Sequence, residues 1–181
     1  MGLGELHKIP SYGHIVSSSL VVKKRHPINK REAKKLNEDL LKTHGVNFYI
    51  EAGKYEKGIC SDFEVLIQNG HIIAIIIEGI SHLSVRGLLH HELQTGWVQV
   101  DMGAIPFVCN GANVMSAGIN DVSSEVIAGQ YIWIREENHH KPLGVGKAII
   151  NREEMLSLDK GKAIQALHYI GDKIWTYGVK D

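Results

Sequence analysis

Cysteine is scarce: Cys60 and Cys109 are the only two among 181 residues, and no CxxC spacing joins them. This excludes a disulfide-built scaffold and a thiolate metal centre, and it fits a reducing cytosol. Long apolar runs are also missing. The longest, Ile72 to Ile77, falls far short of the ~20 residues a membrane helix needs and reads as a buried strand. The N-terminus has no basic stretch leading into an apolar segment, and Leu6 stands where a myristoylation signal requires Ser or Thr, so neither export nor acylation is expected. Nor does one charge dominate. Lys plus Arg and Asp plus Glu both number 20, which argues against phosphate contacts over the whole surface but permits a local basic patch.

Catalytic motifs are absent as well. The eleven histidines include His90-His91 and His139-His140, but neighbouring helical residues point about 100° apart and no HExxH follows, so no metal site is expected. His139-His140-Lys141 reads instead as an exposed loop. Gly144-Val145-Gly146-Lys147 imitates part of a phosphate loop, yet Lys141 and Ala148 stand where GxxxxGK[ST] needs Gly and Ser or Thr. It reads as a strand. No GxSxG elbow exists, and neither cysteine has a recognisable nucleophile context. The expectation is a non-enzyme with no cofactor.

What is present is an ordinary globular composition, 44% hydrophobic and 22% charged, in a chain long enough for two compact domains. The most informative stretch is VDMGAIPFVCNGANVMSAGI, residues 100 to 119. Val98 and Val100 alternate with Gln99 and Asp101 as a half-buried strand requires. Gly103-Ala104 breaks the alternation, and Pro106 is tolerated only in a first helical turn, so a short helix begins at Ala104 or Ile105. Asn110-Gly111 stops it, and Ala112 to Met115 resumes extended character until Gly118. Small residues at such junctions either terminate elements or let another backbone, such as a sugar-phosphate chain, approach closely.

Residues 15 to 22 suggest a first strand leading to the basic cluster Lys23, Lys24, Arg25 and His26, with Pro27 marking a turn. Asn29 and Glu32 make a capping box, and Ala33, Leu36 and Leu40 recur at helical spacing until Thr43-His44-Gly45. Eight cations against three acids give residues 23 to 42 a charge of +5, so this helix is basic and amphipathic, with either a binding face or a merely solvated one. Strands are expected at Val46 to Ile50, Phe63 to Ile67 and His71 to Ile77, with a hairpin turn at Asn69-Gly70. A helix is expected across 83 to 93, closed by Thr95-Gly96. Trp97 and Val98 follow at once with no Pro/Ser linker, so two packed domains are expected, 1–95 and 96–181. In the second, strands are expected from Ser123 to Trp133 around Gly129, a turn at Glu136 to Pro142, a helix capped by Asn151 and Glu154, and a tight turn at Gly171-Asp172 between the last two strands. Short, closely spaced strands favour a small barrel.

The run at 100 to 119 resembles the signature of the PUA domain, the RNA-binding barrel named for pseudouridine synthases and archaeosine transglycosylases. LGVGKAII, residues 143 to 150, resembles its glycine-rich strand, and KGKAIQALHYIGDKIW, residues 160 to 175, its closing hairpin. With the upstream segment EVLIQNGHIIAIIIEGISHLSVRGLLHHELQTGWVQVDMGAI, the combination is similar to the malignant T-cell amplified sequence family of translation factors over about residues 60 to 177. Ala117 departs from the proline that family often carries. The resemblance implies an α+β protein, a mixed α/β pre-PUA domain packed on a PUA-like β-barrel. It implies binding of structured RNA, rRNA or tRNA, in an initiation- or recycling-type role, with the small ribosomal subunit or a translation factor as a further partner and no membrane. The implied contacts are Gly103, Ala104, Asn110, Gly111, Ala112, Asn113, Val114 and Met115, through backbone amides. Lys147, Lys23, Lys24 and Arg25 are added on charge alone. Two other readings stay open: an accessory specificity module for an RNA-modifying enzyme on another chain, and a protein-interaction adaptor using the surface near 63 to 77.

Overall fold

The computed structural model describes residues 21–179. The strand expected over 15–22 lies outside them except for Val21 and Val22, which are not in a strand.

A first antiparallel sheet runs in chain order: β1 (Lys23–Pro27), β2 (Glu56–Cys60), β3 (Phe63–Gln68), β4 (His71–Ile77) and β5 (Ile80–Leu83). Asn69 and Gly70, at φ 50° and 80°, form the β3–β4 turn, as a primed hairpin turn requires. Helix α1 (Lys30–His44) begins on the expected capping box: Asn29 Oδ1 accepts the Glu32 N–H at 2.9 Å, and Glu32 Oε2 accepts the Asn29 N–H at 2.9 Å. Gly45, at φ 70°, ends it. Ala33, Leu36 and Leu40 are buried on the sheet, and Lys30, Arg31, Lys34, Lys35 and Lys42 are exposed.

The second sheet comprises β6 (Trp97–Val100), β7 (Val114–Met115), β8 (Ile119–Val122), β9 (Tyr131–Glu136), β10 (Pro142–Ala148) and β11 (Lys162–Tyr169). Its order is β7-β11-β10-β9-β6-β8, antiparallel except for the parallel pair β6–β9. The edge strands β7 and β8 are consecutive in the chain and joined by the 3₁₀ turn Ser116–Gly118, which curls the sheet into a half-barrel. Helix α4 (Arg152–Ser157), started by the Asn151–Glu154 capping box, packs on β8.

Helix α2 (Val85–His90) lies between the sheets, with Val85 in the second core and Leu88 in the first. Packing crosses the 95/96 junction in both directions, because Trp133, Val145 and Ile174 belong to the first core. Tyr131 Oη also donates to Glu78 Oε2 at 2.9 Å.

Several expected elements differ. Val46 to Ile50 is a loop: the Asn37 side chain takes both polar groups of Ile50, at 2.8 and 2.9 Å, and so replaces a strand partner. The helix expected over 83 to 93 is shorter, because Leu83 pairs with Ala74 as part of β5 and Ser84 caps α2. Residues 123 to 130 form a loop, with strand only from Tyr131. Pro27 is the last residue of β1 rather than a turn. Beyond Met115, the extended run gives way to the 3₁₀ turn. Asp172 does not link two strands but caps α5 (Lys173–Thr176) by accepting the Trp175 N–H at 2.8 Å.

Candidate nucleic-acid interface

Residues 102 to 115 cross one end of the half-barrel as a 3₁₀ turn (Met102–Ala104), the helix α3 (Ile105–Val108), a loop and β7. Pro106 occupies the first turn of α3, where a missing N–H is harmless. Gly111 ends the turn at φ 81°, and a Cβ there would stand 2.7 Å from the Tyr169 ring, so the backbone lies directly on that aromatic.

Gly103, Asn110, Ala112, Asn113 and Met115 are exposed, Ala104 and Gly111 half-buried. Val114 is buried and serves the core. Three large apolar side chains stand in solvent here: Phe107 at 67%, Met115 at 49% and Met102 at 46% exposure. Phe107 and Met102 carried no periodic signal in the sequence and are additions to the expected set.

The amides are mostly engaged. Ala104 N–H donates to Asp101 Oδ1 at 2.9 Å and Met102 N–H to Glu137 Oε1 at 2.9 Å. The N–H groups of Asn110 and Ala112 both donate to Phe107 O, at 3.1 and 3.0 Å, and that of Gly111 to Val108 O at 3.0 Å. Recognition through those backbone amides is therefore not what this geometry offers. Its accessible groups are the Asn110 carboxamide, apolar side chains and nearby cations. Asn113 Oδ1 is occupied by the Ala166 N–H at 2.9 Å.

Two carboxylates flank the 102–104 corner, Asp101 and Glu137, the latter also accepting from Asn120 Nδ2 at 2.6 Å. In the adjoining β9–β10 turn, burial alone would raise the Glu136 carboxyl. The N–H groups of Lys141, His139 and Asn138 instead hold it below the ordinary range, and they fix that turn. Burial pushes the Cys109 thiol up, which disfavours the thiolate.

The basic residues chosen on charge are dispersed. Lys147 lies on β10 with its Nζ 5.3 Å from the Tyr131 ring centre. Lys23, Lys24 and Arg25 belong to β1, the edge of the other sheet, and Arg25 is paired with Glu56 and donates to Tyr177 Oη at 2.8 Å. Gly144 to Lys147 is indeed strand.

A curled half-barrel of short strands, capped by a glycine-bearing loop and packed on an antiparallel sheet with its helix, is the architecture that carries this face. The PUA domain family matches residues 96–170. A Methanocaldococcus jannaschii protein is 37% identical over 158 residues, covering 86% of this chain and 98% of that one. The chain belongs to the PUA-domain proteins, and it is homologous to the malignant T-cell-amplified sequence and translation machinery-associated proteins of eukaryotes. Translation machinery-associated protein 20 of Saccharomyces cerevisiae is 35% identical over 46% of this chain and 49% of its own length. Malignant T-cell-amplified sequence 1-A of Xenopus laevis is 29% identical over 62% and 64%. The matches thus span half to two thirds of those eukaryotic relatives. Among solved structures, a hypothetical protein of Pyrococcus horikoshii superposes with TM-score 0.71 at 26% identity, over 86% of this chain and 99% of that one. A conserved PUA domain protein of Thermoplasma acidophilum gives 0.71 at 25%, over 82% and 95%. The chain thus carries an RNA-binding module and has translation-associated homologues.

Proposed function

We propose that this protein binds ribosomal RNA or tRNA during translation, in an initiation- or recycling-type role, through the exposed face formed by residues 102 to 115. The exposed Phe107 ring, beside the loop Asn110–Asn113, carries this reading. Aromatic surfaces stack unpaired bases, and an adjacent carboxamide supplies donor and acceptor to base edges. Lys147, and Lys23 with Lys24 on the first sheet, are further contacts for an RNA large enough to reach both halves. Residues 1–95 act as the pre-PUA unit that presents the PUA domain, residues 96–181. The small ribosomal subunit or a translation factor is the assembly in which it works, and the chain itself acts by binding rather than catalysis.

The test measures binding to small ribosomal subunits, to bulk tRNA and to tRNA trimmed at its 3′ end, each at two salt concentrations. Ala112→Glu is the informative variant, since residue 112 is exposed, whereas a side chain on Gly111 would disturb Tyr169. Salt-sensitive binding weakened by Ala112→Glu supports the reading, and preference among the three separates a ribosomal from an acceptor-end role. If the folded protein binds none of them, the RNA reading fails and a protein-docking adaptor takes its place.

A further inference from the structure

A groove of about 590 Å³ runs beside α1 and is lined wholly by residues 30 to 52, so no part of the 102–115 face enters it. Ala33, Leu41, Ile50 and Ala52 make its surface partly apolar. The wall opposite the helix is fixed in place, because the Asn37 side chain binds both backbone polar groups of Ile50. The groove is therefore formed before anything enters it. From Lys30 to Leu41 it follows α1 for about 16 Å at ~1.5 Å per residue, the reach of roughly five extended residues.

Two large apolar side chains meet water here. Leu41 lines the groove at 43% exposure, and Tyr49, between the lining residues Asn47 and Ile50 in the chain, is 78% exposed. Tyr49 also sits at φ 51°, a left-handed conformation that bulky side chains rarely adopt. The backbone is strained at the residue that holds its ring outward.

The charges are one-sided. Lys30 and Lys34 line the groove, and at 3.6 residues per turn Arg31, Lys35 and Lys42 share the adjoining stripe of α1. All five are exposed. Among the described residues Lys30, Arg31, Lys35 and Lys42 enter no ion pair, and Lys34 meets only Glu38, at 3.9 Å. The opposite wall carries Glu51, held by Lys54 at 2.6 Å. A nucleic-acid strand presents a phosphate at every residue and gains nothing from an apolar surface or from Glu51. An extended peptide sends successive side chains to opposite faces, so one that alternates acidic and apolar residues fits both the cationic stripe and the apolar surface.

We propose that this groove docks an acidic segment of a protein partner, an extended stretch in which Asp or Glu alternates with Leu or Phe. Its apolar side chains contact Leu41 and Tyr49, and its carboxylates meet Arg31, Lys35 and Lys42. Such docking is separate from RNA binding and stands even if the RNA reading fails.

The experiment pans the full chain against displayed random peptides of about ten residues, twice the ~5 that span the groove. Enriched peptides should alternate acidic and apolar residues. Fluorescein-labelled copies, followed by anisotropy, should bind the double variant Arg31→Glu/Lys35→Glu and the variant Leu41→Gln about tenfold more weakly. Thermal melts should stay close to that of the unaltered protein, since these side chains are exposed. Tyr49→Gly should lose affinity while its melt is kept or raised, because glycine takes φ 51° without strain. No enrichment, enrichment of basic or uncharged peptides, or unchanged affinity in these variants overturns the docking. If oligouridylate displaces the labelled peptide at lower concentration than the unlabelled peptide does, the surface belongs to nucleic acid and the docking is likewise overturned.

Discussion

The imidazole of His168 accepts the backbone N–H of Val85 at 3.1 Å, so a side chain of the half-barrel fastens the first residue of the helix between the sheets. Its Nε2 is the acceptor, so Nδ1 carries the proton and donates to Asp172 Oδ2 at 2.8 Å. His168 is 1% exposed and Asp172 half-buried. His168→Ala should therefore destabilise by about 2–4 kcal/mol, because it strands a buried donor and a carboxylate. A lower urea midpoint at unchanged m value checks it, and His168→Gln should recover part of the loss.

Gly87→Ala should also destabilise, although alanine is the better helix former by up to about 1 kcal/mol. An added Cβ would collide with the Ile73 carbonyl and crowd Leu83. Overpacking of this kind costs about 1–3 kcal/mol, so the sign opposes propensity. Thermal melts of the two proteins decide it; equal or higher stability of the variant would contradict the packing of α2 on β4.

Acid should weaken the fold through a histidine pair between the two halves. Burial lowers both His44 and His82 from 6.5 to about 4, the charge of His82 adding to the effect on His44. The folded state then binds fewer protons than the unfolded state. Stability is complete above about 6.5 and is lost as the pH falls towards 4, by up to about 3 kcal/mol for each group. Among the described residues His82 Nε2 has no hydrogen-bond partner, so His82→Phe should flatten the pH profile at little loss of stability. Urea midpoints between pH 7 and pH 4.5 read this directly.

Phe107→Ala should leave stability within about 0.5 kcal/mol, since two thirds of the residue is already in water. RNA affinity should fall about tenfold, the lower range for loss of one stacking contact. Phe107→Trp should retain affinity. Filter binding and a thermal melt on the same samples separate the two effects.

Features encoded within a few residues were legible: the Asn29–Glu32 and Asn151–Glu154 boxes, the Asn69-Gly70 turn, and Pro106 at the start of α3. Features created by distant partners were not. Nothing near Ile50 says that Asn37 will satisfy its backbone, and β2 shows its strand character only against β1 and β3. The loop at 109–115 was visible from its glycine, but the strand that carries it lies some fifty positions later, as in the pair Asn113 and Ala166. Of the cations chosen on charge alone, Arg25 is engaged by Glu56 and Tyr177.

Arg25 and Tyr177 meet across 152 positions of chain, and Ile174 fills a gap in the core that β1 to β5 begin to build. The first sheet therefore borrows part of its core from residue 174. Contacts of such high sequence separation make the N-terminal sheet's core complete only when the C-terminal helix is in place.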